Sequence, residues 1–80
     1  MSVTLVFLGP LQDAAGEAQR VVPAPLDWEG LIEAVGPHIA EQLESERVHV
    51  ACQGRVLTDK RSLSAQDGDE VALLPPVSGG

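Results

Sequence analysis

Few groups in this chain could do chemistry: one thiol at Cys52, two imidazoles at His38 and His49, an acidic run at Asp67-Gly68-Asp69-Glu70, and a carboxylate after two terminal glycines, Gly79-Gly80. Cys52 alternates in phase with Val48 and Val50, which puts it on an apolar strand face, where burial raises a thiol pKa and leaves it inert. His38 and His49 lack a second ligand at metal spacing, so no metal site is expected. The acidic run has neither the ligand spacing nor the closing bidentate Glu of a calcium loop, and turn chemistry accounts for it. No nucleophile elbow, phosphate-cradling glycine loop or dinucleotide fingerprint occurs. What remains is the carboxylate of Gly80, a poor electrophile until a partner makes one of its oxygens a leaving group.

The residues before that carboxylate are suited to presenting it. Asp67-Gly68-Asp69 is a turn, since Gly takes positive φ freely and Asp tolerates it, and Val71 to Leu74 is an apolar run of strand length. Pro75 and Pro76 have no N–H to give a ladder and fix φ near −65°, so they stop the strand and launch the last residues along a stiff, extended path. The expected division is a folded domain over residues 1–76 and a tail over 77–80. Val77 and Ser78 are small, Gly79 and Gly80 have no side chains, and four residues reach at most about 13 Å. Such a tail fits a narrow cleft in another protein, with Gly80 at its bottom.

The rest of the chain supplies the body. Val3 to Leu8 is a first strand that is apolar on both faces, with Val3, Leu5 and Phe7 on one side and Val6 and Leu8 on the other. Gly9-Pro10 ends it, Leu11 to Ala15 is a helical turn before Gly16, and Ala18 to Val22 returns as an edge-like strand that stops at Pro23. Asp27 is an N-cap, and Trp28, Leu31, Ile32 and Val35 form one helical face, with Glu29 and Glu33 left outside. Gly36-Pro37 breaks this helix, and a second short one carries Ile39 and Leu43 inward. Val48, Val50 and Cys52 define a third strand, Gly54 turns the chain into a fourth through Val56 and Leu57, and Leu63 anchors a turn before the last strand. The reading is an α+β fold, a helix packed across a mixed sheet.

Eighty residues make one small domain, which buries only roughly 60–65% of its unfolded surface. With 44% apolar residues but one Phe, one Trp and no Tyr, its core is built from Val, Leu, Ile and Ala. The net charge of −7 repels phosphate backbones and anionic lipid, so no nucleic acid and no membrane are expected as partners, and a basic protein cleft is. One cysteine allows no internal disulfide, and neither a signal core nor a membrane-length apolar run occurs. A cytoplasmic location is expected.

The segment from Asp67 to Val71 and on through Pro75-Pro76-Val77-Ser78-Gly79-Gly80, with weaker support from Val3 to Phe7 followed by Ala15-Gly16, resembles the molybdopterin synthase small subunit, one of the ubiquitin-like sulfur carriers of MoaD and ThiS type. Gly9-Pro10-Leu11-Gln12 and Cys52-Gln53-Gly54 depart from that family's usual basic stretch and Asn-containing turn. The resemblance implies a β-grasp fold, with first and last strands parallel and adjacent in mid-sheet. It implies that an E1-like activating enzyme uses ATP to make a Gly80 acyl-adenylate, that a persulfide replaces AMP, and that a Gly80 thiocarboxylate gives sulfur to a pterin precursor. By the same resemblance, the small subunit binds no cofactor of its own and has no catalytic side chains. Two small and two large subunits would assemble as a heterotetramer, with the large ones supplying the catalysis. Two alternatives share the same terminus: a protein modifier joined through Gly80 to lysines, and a sulfur carrier for thiazole or tRNA synthesis. Strand parity adds one expectation. If Val71 and Leu73 face the helix, Val6, Leu8, Ala72 and Leu74 face out of an uncovered sheet, so Leu8 and Leu74, with Pro75, Pro76, Val77, Ser78 and Gly79, are the expected partner-binding residues.

Overall fold

A computed structural model of the chain describes residues 1–76. The architecture grows from two apolar strands. β1 (Ser2–Phe7) and β7 (Glu70–Leu74) lie side by side and parallel, with Leu5 level with Val71 and Phe7 with Leu73. Alternate side chains point to one face, so Val3, Leu5, Phe7, Val71 and Leu73 are all buried together. Parallel neighbours need a long crossover, and nearly the whole chain between them serves as one.

That crossover begins with α1 (Pro10–Ala15), whose only buried side chain is Leu11, and returns through β2 (Gln19–Pro23), antiparallel to β1. α2 (Trp28–Leu43) then crosses the sheet. Its N-cap is Asp27, whose carboxylate accepts the Gly30 N–H at 2.8 Å and so satisfies one of the amides that a helix start leaves unpaired. Gly36 leaves helical geometry at φ 84°, ψ 166°, and Pro37 opens the second helical piece, so α2 is two helices broken where the sequence expects. Leu31, Val35, Ile39 and Leu43 are buried against the sheet, while Trp28 and Ile32 are only half-buried at the margin of the stripe.

β4 (His49–Cys52) pairs antiparallel with β7 and leads through a tight turn to β5 (Arg55–Val56), with both turn residues at positive φ, Gln53 at 54° and Gly54 at 79°. That is the turn whose twist suits a two-residue hairpin. The five-stranded order is β2-β1-β7-β4-β5, with the chain's last strand at its centre. A ribbon of β3 (Leu26–Asp27) and β6 (Ser64–Ala65) goes beyond the elements expected from the sequence. It holds the entrance to α2 against the segment before β7. The arrangement is the β-grasp fold.

Candidate functional site

The site starts at the root of the tail. β7 is held on both sides, by β1 and by β4, so the position of Leu74 is set by ladders rather than by a loop. The approach to β7 is tied as well: Asp67 accepts the Ser2 N–H at 2.7 Å, and the Gly68 N–H reaches the Ser2 carbonyl at 2.8 Å. Asp69 fixes the same corner from the other side, taking the Gln66 N–H at 2.8 Å and the Gln53 side-chain amide. Those donors favour the ionised form and hold the Asp69 carboxyl below its ordinary value.

Where β7 stops, a glycine forms the seat. Gly9 sits at φ 55°, ψ −133°, the first corner of a turn closed by the Leu11 N–H on the Leu8 carbonyl at 3.1 Å. Side chains are strained in that conformation. A Cβ built on Gly9 would lie 3.3 Å from Cγ of Pro75, so the bare backbone of the β1–α1 turn makes room for the first proline. Pro75 is half-buried and Pro76 exposed. In the sequence Gly9 reads only as the end of a strand. Its role depends on a contact between opposite ends of the chain, and its place before a proline is the only local hint.

The sheet face opposite α2 spreads out from this root. The register puts Val6 beside Ala72, Ala72 beside Ala51, and Ala51 beside Val56, an apolar line across four strands. Thr4 and Val21 extend it to the far edge. Leu8 is 39% exposed, Val21 68% and Val56 58%. Leu74, Val6 and Ala72 are half-buried in the pleat and Ala51 is buried there, so the face is shallower than parity alone suggests. Leu74 pairs with exposed His49, a neighbour to which no local pattern points. Leu8, Leu74, Pro75 and Pro76 thus meet at one end of the sheet; Val77, Ser78, Gly79 and Gly80 lie outside the described residues.

The other candidate groups stand apart. Cys52 is half-buried on the helix side of β4, its Sγ 3.8 Å from Asp69 Oδ2, and burial first, then the Asp69 charge, push its thiol above the ordinary value. A thiol so placed is a weak nucleophile. His38 is exposed on α2, and His49 is exposed on β4. Among the described residues no group of three or more His, Cys, Asp and Glu side chains is placed to hold a metal ion, and no helix is long and apolar enough to cross a membrane.

The sequence pattern of the ThiS family matches residues 5–80. Among solved structures, SAMP1 of Haloferax volcanii is 24% identical over all of both chains, with a TM-score of 0.74. Small archaeal modifier protein 1 of Methanosarcina acetivorans is 18% identical over 99% of this chain and 96% of its own, with a TM-score of 0.76. A chain of the complex of subunits 1 and 2 of the molybdopterin-converting factor from Helicobacter pylori is 26% identical over all of both chains, with a TM-score of 0.59. No curated protein matches the sequence.

Proposed function

The chain belongs to the ThiS family of ubiquitin-like sulfur carriers, and from that premise we propose that it carries sulfur as a thiocarboxylate on Gly80 and gives it to a pterin precursor in the large subunit of molybdopterin synthase. The observation that supports this reading is the exit of the chain. A strand clamped in mid-sheet runs directly into Pro75, which packs on Gly9, beside an apolar face with no covering layer among the described residues. A rigid root fixes the point from which a tail is offered, and orientation of a reacting group is worth several orders of magnitude in rate.

In this reading the Gly80 carboxylate attacks the α-phosphorus of ATP on an E1-like activating enzyme, releasing pyrophosphate and forming the acyl-adenylate. The terminal sulfur of a persulfide on a donor protein attacks the acyl carbon and expels AMP. A thiol then cleaves the acyl disulfide, leaving the thiocarboxylate on Gly80. Its sulfur is a nucleophile toward the precursor, and hydrolysis of the acyl linkage restores the carboxylate. Two deliveries complete a dithiolene, in keeping with an assembly of two small and two large subunits. The Helicobacter structure is a complex of subunit 1 with subunit 2 of the converting factor, and the large subunit is the corresponding partner here. Leu8, Leu74, Pro75 and Pro76 dock on it, and Val77, Ser78 and Gly79 thread its cleft.

A second reading, in which Gly80 is joined to lysines of other proteins, draws on the names of the Haloferax and Methanosarcina relatives, which share this fold. Intact-mass and fragment analysis separates the two. Incubation with the activating enzyme, ATP and a persulfide donor is expected to exchange one oxygen for sulfur at Gly80. A gain located on Cys52 overturns the mechanism, and Gly-Gly remnants on cellular lysines without loss of molybdoenzyme activity in a Gly80 deletion favour the second reading.

A further inference from the structure

The far edge of the sheet, away from the tail, carries a second surface. β2 is the outermost strand on the β1 side. The Phe7 N–H bonds the Ala18 carbonyl and the Ala24 N–H the Met1 carbonyl, so Ala18, Arg20, Val22 and Ala24 turn their backbone groups toward β1. Gln19 and Val21, alternating with them, direct N–H and C=O outward, and Pro23 directs a C=O. Among the described residues nothing covers this edge at Gln19 and Val21; Arg20, between them, turns its charge inward onto the Ala34 carbonyl, away from the outward backbone groups, and Pro23 and Pro25 limit pairing to the Gln19–Val21 portion.

Beside it runs an open groove of about 400 Å³ between β2 and α2, floored by Val22, Leu26, Gly30 and Ala34 and edged by Pro23 and Pro25. Arg20 closes one end: its guanidinium donates to the Ala34 carbonyl at 2.8 Å and to Glu17 at 2.8 Å while lying 5.3 Å from the centre of the Phe7 ring. Glu33 lines the groove, and Glu29, one turn earlier on the same helix face, adds a second negative charge. The chain's net charge of −7 reinforces that sign. Unpaired strand edge, apolar floor and acidic rim are three complementary features in one place.

We infer that this edge binds an extended segment of a partner protein, apolar at alternate positions and flanked by lysine or arginine, as an added strand on β2. Its backbone pairs with Gln19 and Val21, its inward side chains fill the floor at Leu26 and Ala34, and its basic flank meets Glu33 and Glu29. The surface is separate from the face beside Leu8 and Leu74, so a partner can hold the carrier here while the tail is engaged elsewhere.

The test is an NMR titration of the full chain with a labelled Val-Ile-Val-Val peptide flanked by lysines. Amide shifts are expected at Gln19, Val21, Gly30 and Ala34. Val21→Pro removes an outward N–H without touching the β1 ladder and is expected to weaken binding roughly tenfold, with the β1 amide pattern retained. Glu33→Lys is expected to reverse the preference toward a glutamate-flanked peptide. Shifts confined to Val6, Ala72 and Leu74, equal binding by Val21→Pro, no binding at millimolar peptide, or a Val21-dependent dimer of the chain itself would each overturn the inference.

Discussion

At the scale of single residues, what matters is backbone conformation and hydrogen-bond supply. Gly9 combines a positive φ with a near contact to Pro75, whereas Gly16, also at positive φ, has open space where a Cβ would go. Gly9→Ala is therefore expected to cost about 2–3 kcal/mol and Gly16→Ala about 1 kcal/mol, read as shifts of the urea midpoint at constant m. Equal costs would mean that the seat for Pro75 contributes nothing. Asp69 makes a pH prediction. Its folded pKa is depressed by the Gln66 N–H and the Gln53 amide, so the carboxylate binds fewer protons folded than unfolded. Its stabilisation is complete above the ordinary carboxylate value and is lost as pH falls through the lower folded one. Asp69→Asn is expected to flatten the fall in urea midpoint on acidification below about pH 4; an unchanged acid slope would assign that loss to other carboxylates. Cys52 and Gln53 both meet Asp69, but only Cys52 stands out in the sequence, because a lone thiol draws attention and an amide does not.

Elements differ in how plainly the sequence states them. β1 and β7 are legible because an apolar residue at every second position leaves a strand little choice of face, and α2 because Asp27 caps a stripe at helical spacing. The β3–β6 ribbon is not: two-residue strands, Leu26–Asp27 and Ser64–Ala65, carry no period, and Pro23-Ala24-Pro25 reads as pure punctuation. The same limit hides the end of α2. Lys60, the chain's only lysine, donates from Nζ to the Ser45 carbonyl and, at 2.9 Å, to the Val48 carbonyl, and lies 6.0 Å from the Trp28 ring. It thus ties a 3-10 turn, Lys60–Ser62, to the loop between α2 and β4. Burial lowers its pKa, with nearby Arg61 acting in the same direction. Beside it, Arg61 and Glu44 form an ion pair at 2.7 Å with both side chains more than half exposed. Carbonyls left without a donor cost more than an exposed pair in water. Lys60→Met is accordingly expected to lower stability by about 1–2 kcal/mol and Arg61→Ala by at most about 0.5 kcal/mol; the reverse order in chemical denaturation would show that charge, not carbonyl satisfaction, holds this loop.

For the molecule as a whole, the fold uses one face of its sheet for a core, while no helix packs on the other among the described residues. Seventeen buried residues between sheet and helices form a single cluster, which accounts for stability; on the other face Val6, Ala72, Ala51 and Val56 stand in register across four strands, with Val21 beside them opposite Thr4, and no helix packs over them among the described residues. Leu74 belongs to that second face at the point where the tail departs, one residue past the Phe7–Leu73 pair and paired with His49. Replacing it by Asp tests the division. In the free chain the new carboxylate is half-solvated and sits opposite an imidazole that can pair with it, so the domain is expected to fold with a loss no greater than about 1 kcal/mol. In the proposed docking on the large subunit the same carboxylate is desolvated in an apolar contact, and affinity is expected to fall by about 2–4 kcal/mol. Calorimetric titration of the large subunit with each variant measures the second quantity, and thermal unfolding monitored by circular dichroism measures the first. Leu43→Asp is the control, because Leu43 is fully buried in the core and an unpaired charge there is expected to abolish folding. If Leu74→Asp unfolds the free domain as Leu43→Asp does, the outer face is structural; if it binds with unchanged affinity, the partner approaches the tail from another side.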